Sequence, residues 1–256
     1  MAKKVYVSVI SHNQQDLIKH YYKEFPKKLG NYEIQLAILD NTGSAALEKY
    51  CKEEGYFYYH DGKQRGFGAN HNLMFNVLEV KDEDIFIVAN PDLLIKPDQL
   101  EGMLESFEKS NADIFTTTMY LDKESGKLDF PDRYFPGILN FPISILTGKR
   151  LHYGTRERVE NPEWISGAFI LFKPASYRRL GGFDEDYFMY CEDIDLCYRA
   201  KKMGMQLVMD PDFYVEHDSR MGSRTLFSKN LYWHISSTIR FLVKNRIVKL
   251  VTVAKT

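Results

Sequence analysis

The densest chemistry in the chain lies between Gly181 and Asp195 (GGFDEDYFMYCEDID). Six carboxylates (Asp184, Glu185, Asp186, Glu192, Asp193, Asp195) and three rings (Tyr187, Phe188, Tyr190) fall in its last twelve residues, with no basic residue among them. Such acids are costly beside aromatic surface unless a cation, a substrate or a helix N-terminus absorbs their charge. A glycine pair opens the stretch, and a helical pattern (Leu196, Ala200, Met203) leaves it. Glu192 and Asp193 therefore fall near a helix start, and acidic first-turn residues alone would account for them. The sharper reading is acid–base chemistry. Moving a glycosyl group onto a hydroxyl needs a base near the acceptor and a stabilised leaving group. Glycosidases use two carboxylates for this, whereas a diphosphate leaving group held by a metal leaves work for only one.

Four other places carry candidate chemistry. Asp40, with Asn41, follows a strand-like segment, where a carboxylate can accept the ring N–H of uracil or thymine; an Asp-Asn turn is the plain alternative. Asn90-Pro91-Asp92 also follows a buried strand, and Asp92 suits a hard divalent cation bridging phosphate oxygens, against a simple Asn-Pro turn. His217 follows the last strand and is a second possible ligand, although a lone histidine is commonly structural. Gly66-Phe67-Gly68 begins like a dinucleotide fingerprint, but the third glycine is missing and the segment follows the third strand rather than the first, which weighs against an oxidoreductase. Two glycines before a helix still permit close backbone approach to a phosphate or sugar.

These residues need elements to carry them. Short, β-branched apolar runs at residues 5–11, 34–39, 56–60, 84–89 and 113–121 read as strands. Residues 16–28, 45–54, 69–78 and 97–110 read as helices, with Gly55 closing one and Pro97 opening another. Strand and helix alternate four times in the first 120 residues, which predicts an α/β fold with a mostly parallel central sheet and helices on both faces. Ligands on such sheets bind beyond the C-terminal strand ends. Ser11-His12-Asn13, Asp40-Asn41 and Asn90-Pro91-Asp92 all fall there. The periodicity fails between 129 and 162, predicting an irregular lid or acceptor loop. Residues 164–173 and 206–215 read as further strands, 174–180 as a helix, and 226–249 as one or two amphipathic helices.

At 256 residues the chain makes one large domain, or one with an appendage. Three cysteines without a CxxC pattern suggest a reducing compartment and no structural zinc. The first residues resemble no signal peptide, and no apolar run reaches the roughly 20 residues of a spanning helix. Charge is unevenly spread. From residue 219 onward there is no acid, but eight bases: Arg220, Arg224, Lys229, Arg240, Lys244, Arg246, Lys249 and Lys255. Taken from a net charge of −1, these leave about −9 for residues 1–218, so the basic, aromatic tail points to an anionic surface or ligand.

The joint order of these motifs resembles the inverting glycosyltransferases of family 2, which have the GT-A fold. The carrying segments are VSVISHN at 7–13, Asp40-Asn41, GFGAN at 66–70, Asn90-Pro91-Asp92, Ser166-Gly167-Ala168, GGFDE at 181–185, EDID at 192–195 and His217. Each is loose alone; their order over residues 5–217 is specific. FSKNLYWH at 227–234 and YFMYCED at 187–193 bring the chain nearest to bacterial rhamnosyltransferases of O-antigen and polysaccharide assembly.

The resemblance implies roles. Asp193 would be the general base, with Glu192 beside it. Ser11, Asn13, Asp40, Asn41, Arg65, Gly66, Gly68, Asn72, Asn90 and Asp92 would bind the nucleotide sugar. Trp164, Gly167, Asp184 and Glu192 would meet the acceptor. Asp92 and His217 would approach a Mg²⁺ or Mn²⁺ ion. Asn90 stands where the metal motif has its first Asp, and a neutral ligand implies lower metal affinity. The implied organisation is a catalytic domain over 1–218, with a nucleotide half (1–122) and an acceptor half (123–218). A basic helical segment (219–256) would follow, touching a membrane surface. The implied reaction moves L-rhamnose from dTDP-β-L-rhamnose to an undecaprenyl-diphosphate-linked sugar, peripherally at the inner face of a bacterial membrane, in lipopolysaccharide synthesis. A UDP-sugar donor, or a silent nucleotide-sugar-binding scaffold, remain the competing readings.

Overall fold

The computed structural model describes residues 2–129, 132–140, 143, 147, 162–218 and 229–245. Twelve strands and seven helices are described. The strands are β1 (Lys3–Ser11), β2 (Lys28–Leu29), β3 (Tyr32–Asp40), β4 (Phe57–Tyr59), β5 (Ile85–Ala89), β6 (Leu93–Leu94), β7 (Ile114–Asp122), β8 (Lys127–Leu128), β9 (Asp132–Arg133), β10 (Trp164–Ile165), β11 (Phe169–Phe172) and β12 (Leu207–His217). The helices are α1 (Gln15–Tyr21), α2 (Ala45–Glu54), α3 (Phe67–Val77), α4 (Pro97–Ser110), α5 (Pro174–Leu180), α6 (Glu192–Lys202) and α7 (Lys229–Lys244).

Local signals explain these elements. Every residue from Val5 to Ser11 is buried, as a strand covered on both faces requires. On α4, Leu100, Met103, Leu104 and Phe107 form one buried stripe at helical spacing, and Pro97 opens the helix where its missing N–H costs nothing. Ser44 caps α2 by accepting the Leu47 N–H, and Gly55 closes it in the left-handed region. The first helix is shorter than its pattern, because Phe25-Pro26 excludes helical backbone soon after Tyr21.

The main sheet runs β2-β3-β1-β5-β11-β7-β12-β6, with β4 on β3 and β8 on β7. Val5, Val7 and Val9 of β1 share one core with Ile18, Leu47 and Leu104 of α1, α2 and α4, and Tyr6 shares a second core with Phe75, Tyr177, Phe183 and Leu196. The sheet is mixed, and its longest ladders are parallel as expected. β1 pairs in parallel with β3 and β5, but β11 runs antiparallel between β5 and β7. Parallel neighbours need a crossover, usually helical. The chain reaches β11 through the irregular stretch after residue 129, so it can return in the opposite direction.

That reversal builds the site. Phe169 pairs with Ala89, so the start of β11 lies beside the end of β5. On the far side His217 pairs with Leu93, which fixes it beside Asp92.

Behind this edge, His71 of α3 is fully buried with Nδ1 2.8 Å from Ser8 Oγ on β1. Burial holds its imidazole far down, at about 3. The folded value lies below the ordinary 6.5. Its stabilisation is therefore complete above that pH and is lost as pH falls toward 3. Urea unfolding at stepped pH below 6.5 is expected to show about one proton more of pH dependence in the native chain than in His71→Gln. Equal slopes would refute it.

Candidate active site

Glu192 and Asp193 open α6, with Asp195 in the same first turn, where the helix dipole favours negative charge. Asp193 is half-buried. Its Oδ2 accepts the Gly167 N–H at 2.9 Å and its Oδ1 accepts the Ile194 N–H at 2.8 Å. A Cβ on Gly167 would sit 3.3 Å from the Asp193 Cβ, so glycine there lets the two loops approach. Burial raises the Asp193 carboxyl above its ordinary value, against the Gly167 N–H and the Arg133 charge, which lower it. Glu192 is 7% exposed and its Oε2 is buried without a partner. Burial and then the Asp193 charge push its carboxyl up. Two adjacent acids cannot both ionise cheaply in such a place. The proton belongs on Glu192, because Asp193 alone has a side-chain carboxylate held by two N–H donors and a nearby guanidinium. Asp193 is left as the charged acceptor.

A second cluster lies next to it. His217 Nε2 is 3.3 Å from Asp92 Oδ1, and Nδ1 is 2.8 Å from Asp129 Oδ2. Asn90 Nδ2 is 3.4 Å from His217 Nε2. Burial opposes a charge on this imidazole, yet the two carboxylates prevail and raise it to about 9. The clusters are joined by backbone and by charge. The Asn90 N–H donates to the Ala168 carbonyl at 2.9 Å, one residue from the Gly167 that holds Asp193. Arg133 lies 3.6 Å from Asp129, with its guanidinium 4.7 Å over the Trp164 ring.

Asp92 Oδ1 is buried, has no hydrogen bond of ordinary geometry and faces the His217 imidazole at 3.3 Å. A buried carboxylate oxygen beside an imidazole and a carboxamide fits Mg²⁺ or Mn²⁺ once that imidazole gives up its proton to the ion. Among the described residues no three His, Cys, Asp or Glu side chains converge as a metal cage. An ion here would take few ligands from the chain and the rest from substrate phosphate. Asp129 would orient His217 from behind, as carboxylates do for ligating histidines.

Several predicted contacts are engaged elsewhere. Asp40 is buried, and its oxygens accept from the Thr42 N–H and hydroxyl, the Ser44 N–H and the Tyr58 hydroxyl. Four donors fill a carboxylate. They hold its pKa below the ordinary value despite burial, so Asp40 shapes the turn into α2. Asn41 exchanges hydrogen bonds with the Arg65 backbone. Arg65 itself is bidentate to Asp61 at 2.9 and 2.6 Å. Asn72 donates to the Phe183 carbonyl and Glu185, and accepts from Tyr177 and the Phe183 N–H. It clamps the 181–185 turn. Gly66 and Gly68 let neighbours approach: a Cβ on Gly66 would overlap the Phe188 backbone, and one on Gly68 the Phe183 ring. Trp164 is 3% exposed with its indole N–H on the Tyr134 carbonyl, so it is a platform under Arg133 rather than an acceptor contact. Ser11 is buried and Asn13 is exposed with φ of 60° at the edge of β1.

Asp184 is also taken. Lys244 of α7 reaches it at 2.6 Å, and Arg240 pairs with Asp186. The apparently unneutralised acids are thus met by the basic tail folding back on them. Arg220, Arg224, Arg246, Lys249 and Lys255 lie outside the described residues, as does most of 129–162, the stretch expected to form a lid or acceptor loop.

Four residues escaped the sequence reading. Asp129 and Arg133 sit in the aperiodic stretch and give no local signal. Asp195 is fully buried, 2.8 Å from both Arg199 and Lys244; its spacing of four from Arg199 was the available hint. Asn70, not Asn72, keeps a buried Oδ1 without a partner.

The profile of glycosyl transferase family 2 matches residues 6–179. The chain is 31% identical over 251 residues to rhamnosyltransferase WbbL of Escherichia coli strain K12, covering 95% of this chain and 94% of that protein. It is 29% identical over 221 residues to the N-acetylglucosaminyl-diphospho-decaprenol L-rhamnosyltransferase of Mycobacterium tuberculosis, covering 79% and 71%. A mannosyltransferase of Pyrobaculum calidifontis, solved with GDP-Man and Mn²⁺, superposes with a TM-score of 0.62 at 14% identity, over 94% of this chain and 64% of that one. At that identity the likeness speaks for the fold.

Proposed function

The chain belongs to glycosyl transferase family 2, and from that membership we propose that it moves L-rhamnose from dTDP-β-L-rhamnose onto a polyprenyl-diphosphate-linked sugar, with N-acetylglucosamine as acceptor, in O-antigen or other cell-surface polysaccharide synthesis. Similarity to two rhamnosyltransferases supports the sugar, and the second relative's name supports the acceptor. The observation that carries the chemistry is one ionisable carboxylate, Asp193, held by the Gly167 N–H beside the Asn90–Asp92–His217 cluster.

The reaction is a single displacement with inversion. Asp193 takes the proton of the acceptor hydroxyl as that oxygen bonds to C1. The C1–oxygen bond to the diphosphate breaks, and dTDP leaves with the electron pair. Glu192, kept neutral by burial, spares Asp193 a second negative charge next to it. Asp92 and His217, with Asn90, would hold Mg²⁺ or Mn²⁺, which when bound neutralises charge on the diphosphate.

Membrane contact is part of the proposal, in altered form. Arg240 and Lys244 are turned inward onto acids, while Tyr232, Ile235, Ile239 and Val243 form an exposed apolar stripe on α7. An interfacial helix contacts lipid through such a stripe. No described helix is long and apolar enough to cross a membrane.

The test is direct. The purified chain is incubated with dTDP-rhamnose and a polyprenyl-diphosphate-linked N-acetylglucosamine, and product is scored by mass. dTDP is expected to raise Tm more than UDP. Stabilisation by UDP alone, with transfer only from a UDP-sugar, would move the donor. Binding without transfer from any donor would make the chain a scaffold.

A further inference from the structure

Asp193 depends on the two residues that precede its helix. Tyr190 and Cys191 have φ of 68° and 64°, the only consecutive non-glycine pair in the left-handed region among the described residues. L-residues pay for that conformation and keep it only where the surroundings over-determine it. Here the surroundings are α7. Its Trp233 ring lies 4.8 Å from Phe188, its Ser237 hydroxyl donates to the Met189 carbonyl at 2.9 Å, His234 stacks on Tyr190 at 4.9 Å, and Thr238 Oγ1 is 3.7 Å from Cys191 Sγ. Four successive residues, 188 to 191, are thus gripped in turn by one helix face. The grip continues beyond the turn, where Lys244 and Asn245 reach the buried Asp195 of the first turn of α6 at 2.8 and 3.3 Å.

α6 has no side-chain cap; Cys191 stands at its N-cap position without one. Within α6 the first turn is held by the Asp195 N–H on the Cys191 carbonyl and the Ile194 N–H on Asp193, with no side chain from the N-cap itself. On the other side of the same turn, the Phe67 N–H donates to the Phe188 carbonyl at 3.0 Å, which ties it to the start of α3.

We infer that His234, Ser237 and Thr238 of α7 are positioning residues for the reaction: they hold the left-handed Tyr190–Cys191 pair that aims Asp193 at Gly167 and the acceptor. The inference rests on Asp193 being the base. None of the three needs to touch substrate. Small displacements of a reacting group cost rate far more than binding, so loss of the grip lowers kcat and spares the nucleotide site.

The experiment uses the full chain. Ser237→Ala/Thr238→Val is expected to lower kcat about 10- to 100-fold while the Kd for dTDP stays within about twofold. Adding Cys191→Gly, which adopts positive φ without a Cβ penalty, is expected to restore most of that turnover. His234→Ala should lose turnover, and His234→Phe, which keeps a stacked ring, should retain it; this pair decides the matter if the double variant does not fold. Wild-type kcat in both the double variant and His234→Ala overturns the proposal. So does a loss that neither Cys191→Gly nor His234→Phe repairs. Asp193→Asn is run alongside: if it keeps wild-type turnover, the assignment of the base has failed, whereas a dead Asp193→Asn with unaffected α7 variants sinks only the positioning role.

Discussion

Asp193→Asn is expected to lower transfer by about 10²- to 10⁴-fold, the range a positioned general base supplies. Asparagine keeps the shape, and its Oδ1 can still accept the Gly167 N–H that now bonds Asp193 at 2.9 Å. The loop should therefore stay in place and dTDP should bind as before. Stability should change little: Glu192 is already neutral, the substitution removes a charge that burial disfavours, and it leaves the Ile194 N–H without its acceptor. Initial rates with calorimetric titration of dTDP check both halves. Turnover near wild type would remove Asp193 from the mechanism. The same carboxylate sets the acidic limb of the rate profile. Its pKa is raised by burial, so the ionised base is lost as pH falls through a value above the ordinary carboxylate range. kcat should decline at a higher pH than an exposed aspartate would dictate.

Asp92→Asn is expected to have the next largest effect, about 10²- to 10³-fold on kcat/KM, the scale of leaving-group charge stabilisation. The native Oδ1 is buried, has no hydrogen bond of ordinary geometry, and lies 3.3 Å from His217 Nε2. An amide cannot supply the negative charge that a hard cation needs beside a neutral Asn90. The variant should need more Mn²⁺ for half-maximal rate, and the extra rise in Tm produced by Mn²⁺ together with dTDP should disappear. An unchanged cation requirement would show that Asp92 is not a ligand. Asp129, which meets the other imidazole nitrogen at 2.8 Å and Arg133 at 3.6 Å, separates the roles. Asp129→Asn should weaken the orientation of His217 and cost less than Asp92→Asn.

The Glu192–Asp193 pair was legible, because helix starts and acidic first turns are local patterns. Glycine 167 was legible only as part of a motif, since nothing local says that its N–H meets a carboxylate 26 residues away. Asp40 and Asn72 look like ligands from the sequence, and the fold gives both of them partners within the chain. A polar residue at a strand end or helix start is equally able to serve substrate or backbone, and its partner resolves the question. For Asn72 that partner is the 183–185 turn, 111 to 113 residues along the chain. The acids of 184–195 looked unneutralised because their cations arrive from 49 to 60 residues later, on α7.

Periods, caps and breakers act over a few residues, so they specify the alternating strands and helices, the polar strand ends and the position of Asp193 at the start of α6. Composition likewise specifies a basic end after an acidic body. Sheet order does not follow from such short-range terms. It places β11 antiparallel beside β5, and so brings Asn90 against Ala168. It pairs β12 with β6, and so brings His217 against Asp92. The packing of α7 then converts the acidic stretch from an exposed cluster into a gripped turn. Which carboxylates remain open for chemistry is a matter of long-range donors, and the folded chain alone supplies them.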